Sequence, residues 1–220
     1  MITRDGGSRG GVVTVSVGEV GLAGDVVVPA EPRGVVLFAH GSGSSRHSPR
    51  NVAVARALNA GGLGTVLIDL LTPAEDEVDA VTAELRFDIG LLADRLAGVV
   101  DWLASERPAG TAPVGLFGAS TGAAAALVAA ARRPDLVRAV VSRGGRPDLA
   151  GAALGQVRAP TLLLVGGLDE QVIDLNQEAL NQLTAPAELR VIPGATHLFE
   201  EPGTLEQVAE AARDWFQDQL

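Results

Sequence analysis

Residues 114–127 have the sequence Val114-Gly115-Leu116-Phe117-Gly118-Ala119-Ser120-Thr121-Gly122-Ala123-Ala124-Ala125-Ala126-Leu127. The apolar start predicts a short buried strand, and the alanine-rich end predicts a helix. Between them lies a Gly-x-Ser-x-Gly pattern, which is typical of a nucleophile elbow when it connects a strand to a helix. The two glycines let strand and helix pass close together. We therefore expect Ser120 to stand above the sheet edge on a strained turn, with its hydroxyl facing the N-terminus of the helix.

A Gly-x-Ser-x-Gly pattern also occurs by chance in glycine-rich loops, and this chain has 27 glycines. The motif alone does not separate a nucleophile from an ordinary turn. Its position between a predicted strand and a predicted helix is the context that favours the nucleophile.

Length and composition exclude several classes of function. A chain of 220 residues with 47% hydrophobic and 20% charged residues is typical of a single globular domain. The net charge of −10 argues against nucleic-acid binding. Cys, Lys and Tyr are all absent, which excludes thiolate, Schiff-base and tyrosine chemistry. Any general-base histidine must be His40, His47 or His197.

The sequence shows no signal for a membrane. Its first residues contain no apolar stretch like that of a signal peptide, and no apolar run has the length of a membrane span. We expect a cytoplasmic protein without a membrane or nucleic-acid partner. The scattered histidines lack metal-ligand spacing, so we expect no metal and no cofactor.

Apolar runs and helical patterns alternate along the chain and predict an α/β fold of one domain, residues 1–220. We expect residues 1–10 to be flexible, followed by an antiparallel hairpin over 12–17 and 25–28, and a loop over 70–79. The remaining predicted strands cover 34–39, 65–69, 114–117, 139–142, 161–165 and 188–192. Predicted helices cover 83–105 and 121–132, and two more begin near 174 and 204. A further predicted helix has Ser48 as its N-cap and Pro49 at its first helical position, and it runs through 51–59. This alternation predicts a mainly parallel sheet with helices on both faces and the hairpin at one edge.

Three residues have the types and the order that a nucleophilic serine requires. Ser120, Asp169 and His197 each follow a predicted strand, so they can converge over one edge of the sheet. In that arrangement His197 takes the proton of Ser120, and Asp169 orients the imidazole. Asp169 could instead be a turn or cap residue, with Glu170 or Asp174 as the acid.

An oxyanion hole needs two backbone donors aimed at the developing charge. We expect one from Thr121, the residue after the nucleophile, and one from the loop after the strand that ends at Ala39. Ser42 is the predicted donor in that loop, with Gly43 second. For His40 we expect a bracing role in the loop.

The chain resembles proteins of the α/β-hydrolase fold, close to the dienelactone hydrolase-like group, over residues 12–220. The motifs that carry the resemblance are His40-Gly41-Ser42-Gly43, Gly118-Ala119-Ser120-Thr121-Gly122, Gly167-Leu168-Asp169 and Gly194-Ala195-Thr196-His197. The resemblance implies a hydrolase with Ser120, Asp169 and His197 as its triad. Dienelactone hydrolases proper use a cysteine where this chain has Ser120. Only about 18 residues separate Ser142 from Thr161, so we expect no lid domain.

Similar proteins are sometimes fused to a phosphoribosyltransferase domain. The sequence has no acidic pair after an apolar strand leading into a phosphate loop, and so does not support that activity.

The expected function is hydrolysis of small carboxylic esters through an acyl-enzyme intermediate. A ligand-binding or receptor module, or amide, thioester or perhydrolysis activity, remains an alternative on the same fold. Gly43, Arg46, His47 and Arg143 are candidate substrate contacts, because loop arginines there could hold a carboxylate or phosphate. Arg146 is a further arginine of this kind, and pairing of these arginines with acidic side chains is the alternative. The expected oligomeric state is a monomer or a homodimer.

Overall fold

The computed structural model of the protein describes residues 3–5, 8–105 and 111–220. Over these residues the chain forms one mixed β-sheet with helices on both faces. The strands are β1 (Thr3–Asp5), β2 (Ser8–Val17), β3 (Val20–Pro29), β4 (Val35–Ala39), β5 (Gly64–Ile68), β6 (Val114–Ala119), β7 (Val137–Arg143), β8 (Thr161–Gly166) and β9 (Ala187–Ile192).

The strands lie in the order β1-β2-β3-β5-β4-β6-β7-β8-β9. Strands β4 to β9 are parallel to one another, whereas β1, β2 and β3 are antiparallel to their neighbours, which include β5 beside β3. The predicted hairpin is confirmed, but its second strand begins at Val20 instead of residue 25, because Val17 and Val20 already pair across a short turn. The predicted parallel strands are confirmed as well. Every residue of β4, β5, β6 and β8 is buried, as expected for strands that are covered on both faces.

The helices are α1 (Pro49–Ala60), α2 (Pro73–Thr82), α3 (Ile89–Ser105), α4 (Thr121–Arg132), α5 (Glu170–Gln182) and α6 (Thr204–Gln219). One face of the sheet packs against α3 and α4 through Leu96, Leu127 and their neighbours. The other face packs against α1 and α6, where Leu58 and Phe216 are fully buried. These two layers place the carboxyl ends of the parallel strands, and the loops that follow them, at one edge of the sheet.

The stretch over 70–79 differs from the predicted loop. It contains most of α2, which begins at Pro73. Thr72 and Glu75 form a reciprocal capping box at its start, and proline is favoured at the first helical position because its missing N–H has no helical acceptor. The sequence showed no helical apolar pattern here, because α2 is acidic, lacks a broad apolar face and buries only Asp79.

Two helix starts also differ from those predicted. Helix α3 begins at Ile89, after a 3₁₀ turn over Leu85–Phe87, and α5 begins at Glu170 instead of near 174. Asn176 lies inside α5, where its buried amide donates to the backbone carbonyls of Val172 and Gly145. Residues 3–5 and 8–10, expected to be flexible, pair as strands β1 and β2.

The connection between β7 and β8 contains only a 3₁₀ segment over Pro147–Gln156. The chain therefore inserts no lid domain there, in agreement with the prediction. Across the described ranges, no helix combines the length and apolarity that a membrane crossing needs.

Candidate active site

Ser120 lies on a strained turn between β6 and α4. Its backbone has φ 50° and ψ −121°, a conformation that residues other than glycine rarely adopt. A Cβ at Gly118 would lie 2.4 Å from the Cα of Ala123, and a Cβ at Gly122 would lie 2.4 Å from the carbonyl oxygen of Ala39. Neither position can hold a larger residue, which is why the turn has a glycine on each side of the serine.

Hydrogen bonds from the next loop hold the turn in place. The Ser120 N–H donates to the carbonyl of Arg143 at 3.2 Å, and the Arg146 N–H donates to the carbonyl of Ser120 at 3.1 Å. The strained serine is thus fixed by the strand end of β7 and by the residues that follow it.

The imidazole of His197 contacts the carboxylate of Asp169, with 2.7 Å between Nδ1 and Oδ2. Asp169 precedes α5, but its side chain makes no capping hydrogen bond to that helix. The backbone of Asp169 does stand at the N-cap position and closes a turn by donating to the Gly166 carbonyl, but its side chain contacts His197 and not the start of the helix. The rival acids Glu170 and Asp174 both lie exposed on α5.

Glycines allow the loops at this edge of the sheet to pack closely. A Cβ at Gly41 would lie 3.1 Å from the Cβ of Ser120, and one at Gly144 would lie 3.1 Å from the carbonyl oxygen of His197. A Cβ at Gly166, at the end of β8, would lie 2.5 Å from the carbonyl oxygen of Ala195. The loop after β4 therefore packs against the turn that holds Ser120, and the end of β8 and the loop after β7 pack against the loop after β9.

A cavity of about 250 Å³ opens beside the serine, and we call it the Ser120 cavity. Its walls include Ser120, Ser42, Ser48, Arg50, Arg143 and His197. The cavity thus combines a strained serine, a histidine that is hydrogen-bonded to a carboxylate, and two arginines.

The two predicted oxyanion donors lie next to each other. Thr121 is the first residue of α4, where a backbone N–H has no helical acceptor. The Ser42 N–H donates to the hydroxyl oxygen of Thr121 at 2.9 Å. Gly43, the second candidate, has φ 66° and shapes the turn of its loop without lining the Ser120 cavity.

Arg46 and His47 do not line the Ser120 cavity. Both side chains contact carboxylates elsewhere. The Arg46 guanidinium pairs with Asp69 and lies 3.4 Å from Asp25, and the exposed His47 ring lies 3.7 Å from Asp25. Of the predicted substrate contacts, the structure brings only Arg143 to the cavity.

The family model that describes the dienelactone hydrolase family matches residues 26–220. The chain belongs to the dienelactone hydrolase family. In the fold, its mainly parallel sheet with an antiparallel N-terminal edge and no lid agrees with that membership.

One similar solved structure is a dienelactone hydrolase from Anabaena variabilis. It is 58% identical, with 98% of this chain and 100% of that chain covered and a TM-score of 0.96. An α/β serine hydrolase without a lid from Xanthomonas campestris shares the fold at 24% identity, with 96% and 95% of the two chains covered and a TM-score of 0.76.

A Mycobacterium tuberculosis protein, provisionally named a phosphoribosyl transferase, is 60% identical over 208 residues. That match covers 94% of this chain and 46% of the relative, so the chain spans about half the length of this relative.

His40 braces the loop after β4 in this dienelactone hydrolase family member. Its Nε2 accepts a hydrogen bond from the Leu70 N–H at 3.1 Å, and its Nδ1 lies 2.9 Å from the carbonyl oxygen of Gly41. These two contacts fix the tautomer with the proton on Nδ1. Burial lowers the pKa of His40, so the ring stays neutral and serves to hold the loop.

Arg50 and Asn51 were not predicted from the sequence as parts of the candidate site. Both lie in the first turn of α1, and both line the Ser120 cavity. The available signal was the Ser48-Pro49 helix start directly after the glycine- and serine-rich loop, because a helix that begins there must point its N-terminus at the sheet edge. Within the described parts of the chain, no group of three or more His, Asp or Glu residues could hold a metal ion.

Proposed function

We propose that this chain is a serine hydrolase that cleaves small carboxylic esters through an acyl-enzyme intermediate. The observation that carries the proposal is that the strained Ser120 shares one cavity with His197, whose ring is hydrogen-bonded to Asp169. Membership of the dienelactone hydrolase family supports hydrolysis as the reaction class.

In the proposed first step, the hydroxyl oxygen of Ser120 attacks the ester carbonyl carbon. Asp169 accepts a hydrogen bond from Nδ1–H of His197, which leaves Nε2 unprotonated and able to take the serine proton. His197 then gives this proton to the departing alcohol. In the second step His197 activates water, which attacks the acyl-enzyme and releases the acid.

The negative charge on the carbonyl oxygen needs donors in both steps. We assign them to the backbone N–H groups of Thr121 and Ser42. The Ser42 N–H is held by the Thr121 hydroxyl in the resting structure, so the oxyanion must share that hydrogen or replace the hydroxyl as its acceptor. The N-terminus of α4 adds a favourable dipole.

Small substrates fit the dimensions of the site. The Ser120 cavity of about 250 Å³ lies slightly below the usual range of ligand pockets, roughly 300–1,000 Å³. With no lid over the cavity, the unreacted end of a longer substrate would extend into solvent.

The name of the mycobacterial relative does not transfer to this chain in our proposal. The 60% identity lies in less than half of that protein. Here no acidic pair follows an apolar strand and leads into a phosphate loop, and the β6–α4 turn presents a strained serine instead. We therefore assign hydrolysis, and no phosphoribosyl transfer, to the matched part.

The test is hydrolysis of p-nitrophenyl esters from acetate to octanoate by the wild type and by Ser120→Ala. We expect activity that is highest with short acyl chains and that falls at least 10³-fold in Ser120→Ala. Ser105→Ala, at an exposed serine at the end of α3, is the matched control and should retain wild-type rates.

A second readout is covalent labelling by an aryl organophosphate, followed by intact mass. One adduct is expected on the wild type and on Ser105→Ala, and none on Ser120→Ala. Equal ester hydrolysis by wild type and Ser120→Ala would refute the serine mechanism. Faster turnover of a p-nitroanilide or thioester than of the matched ester would move the assignment to that bond type.

A further inference from the structure

Arg143 is a buried cation that none of the carboxylates in the described part of the chain neutralises. The residue is only 7% exposed, yet none of the ion pairs among the described residues includes it. Among these residues its side chain makes one hydrogen bond, from Nη2 to the neutral amide oxygen of Asn51 at 3.3 Å, and its Nε has no partner. Arg46 and Arg146, by contrast, pair with Asp69 and Asp148.

A buried charge without a partner is costly, so its retention calls for an explanation. Burial, together with the nearby positive charge of Arg50, lowers the pKa of the Arg143 guanidinium to about 10. At neutral pH the side chain is still protonated. The guanidinium also lies 5.9 Å from the ring centre of Phe199, a contact that supports the cation but supplies no negative charge.

A second feature of the same wall favours anions. Helix α1 has 12 residues, and its first turn faces the Ser120 cavity through Ser48, Arg50 and Asn51. The N-terminus of a helix attracts negative charge through its dipole and its free N–H groups. In α1 Pro49 has no N–H and the Asn51 N–H donates to the Ser48 hydroxyl oxygen at 3.5 Å, so the attraction rests mainly on the dipole. Arg50 adds a side chain whose only carboxylate contact among the described residues is an exposed one, 3.3 Å from Glu200.

We propose that Arg143 and the N-terminus of α1 form an anion subsite beside Ser120, which binds an acid group carried by the ester substrate. The subsite rests on the proposed function, because it names the substrate class of the same cavity. A carboxylate and a phosphate monoester share the chemistry it recognises, since both offer two oxygens to the guanidinium fork. Asn51 positions the fork by accepting from Nη2.

The first experiment compares anionic esters with their neutral counterparts in the wild type. The acid lies on the acyl side in mono-4-nitrophenyl glutarate and on the alcohol side in 4-acetoxybenzoate, and the methyl esters of both are the neutral controls. For one of the two pairs we expect kcat/KM to favour the anion by about tenfold or more, as for a hydrogen bond to a charged group. A preference below about twofold in both pairs overturns the subsite.

The matched variants are Arg143→Gln and Arg146→Gln. Arg143→Gln should reduce the anion preference about tenfold, whereas Arg146→Gln should keep it, because the Arg146 side chain pairs with Asp148. Arg143→Lys keeps the charge without the planar fork and should give an intermediate preference. If Arg143 had only a structural role, Arg143→Gln would change kcat/KM for both esters of a pair by the same factor. Thermal unfolding identifies any variant that fails to fold, and the wild-type ratio then decides alone.

Binding of inorganic phosphate and of glutarate, measured by isothermal titration calorimetry on Ser120→Ala, needs no catalysis. We expect at least one of the two to bind, and the tighter one identifies the acid group. Arg143→Gln in the same background should weaken that binding about tenfold or more. Binding of neither ion overturns the subsite.

The outcomes for the subsite and for the hydrolase proposal can be told apart. Esters that react without an anion preference, and without binding of either ion, leave the hydrolase proposal intact and refute only the subsite. Anion binding without hydrolysis of any ester refutes the hydrolase proposal and leaves an anion-binding cavity.

Discussion

The backbone N–H of Ser42 donates to the side-chain hydroxyl of Thr121 across 79 residues of sequence, at 2.9 Å. The bond ties the loop after β4 to the first residue of α4. It also places both proposed oxyanion donors in one hydrogen-bonded unit. The threonine thus has two roles in our proposal, one through its N–H and one through its hydroxyl.

Thr121→Val should lower kcat for a short p-nitrophenyl ester about tenfold, because the variant removes the acceptor that holds the Ser42 loop. The unpaired N–H should also lower the free energy of unfolding by about 1 kcal/mol, or roughly 2–4 °C in Tm for a chain of this size. Thr121→Ser keeps the hydroxyl and should retain both values. A Thr121→Val enzyme as fast as wild type would show that the bond does not position the donor.

Asp169→Asn should reduce kcat by roughly 10³- to 10⁴-fold, since an amide cannot hold the His197 ring in the required tautomer as a carboxylate does. Asp174→Asn, at an exposed position on α5, is the matched control and should keep wild-type activity. Steady-state kinetics on p-nitrophenyl acetate separates the two. If the loss occurred in Asp174→Asn instead, the acid would have been assigned to the wrong residue.

Most of the fold could be predicted from the sequence, because it depends on local patterns. Continuous apolar runs marked the strands that are buried on both faces, and the Ser48-Pro49 signal marked the start of α1. Helix α2 was not predicted, because its acidic residues bury almost nothing and so show no apolar periodicity. The Thr72 and Glu75 capping pair was a signal for its start that the sequence does contain.

Part of the site could be predicted as well. Ser120, Asp169 and His197 were candidates through residue type and position after strands, and the structure places His197 and Asp169 in hydrogen-bonding contact. Arg46 and Arg143 were equivalent in the sequence. What distinguishes them is tertiary, because Asp69 and Asp25 neutralise the first and nothing acidic in the described structure neutralises the second.

Ser120→Gly should be more stable than Ser120→Ala. The φ of 50° strains any residue with a Cβ by about 1–3 kcal/mol, whereas glycine adopts this conformation freely. After subtracting the extra entropy of an unfolded glycine, roughly 0.4–1 kcal/mol, we expect Tm to be about 2–4 °C higher. Both variants lack the hydroxyl, so the Tm difference measured by calorimetry combines the relief of backbone strain with the unfolded-state entropy of glycine. A lower Tm for Ser120→Gly would mean that the strain at this turn is smaller than the entropic cost of the glycine.

The pH dependence of stability should carry a contribution from the ion pair that joins α2 to α3. Arg95 donates two hydrogen bonds to Glu75, at 2.6 and 3.0 Å, and these lower the pKa of that carboxyl to about 2. Because the folded pKa lies below the unfolded value of about 4.5, the stabilisation is fully present above pH 4.5 and declines as the pH falls towards 2.

Glu75→Gln should therefore lower Tm by about 2–4 °C near pH 6, corresponding to roughly 1 kcal/mol for a charge-assisted contact. The difference from wild type should narrow as the pH falls through 4 to 2.5. Glu77→Gln, at an exposed position on the same helix, should show a small difference at every pH. Circular dichroism melts across this range measure both variants. A Glu75→Gln difference that stays constant down to pH 2.5 would show that the ion pair adds no pH-dependent stability, and that the side chain acts only through its capping hydrogen bond to Thr72, which glutamine can also make.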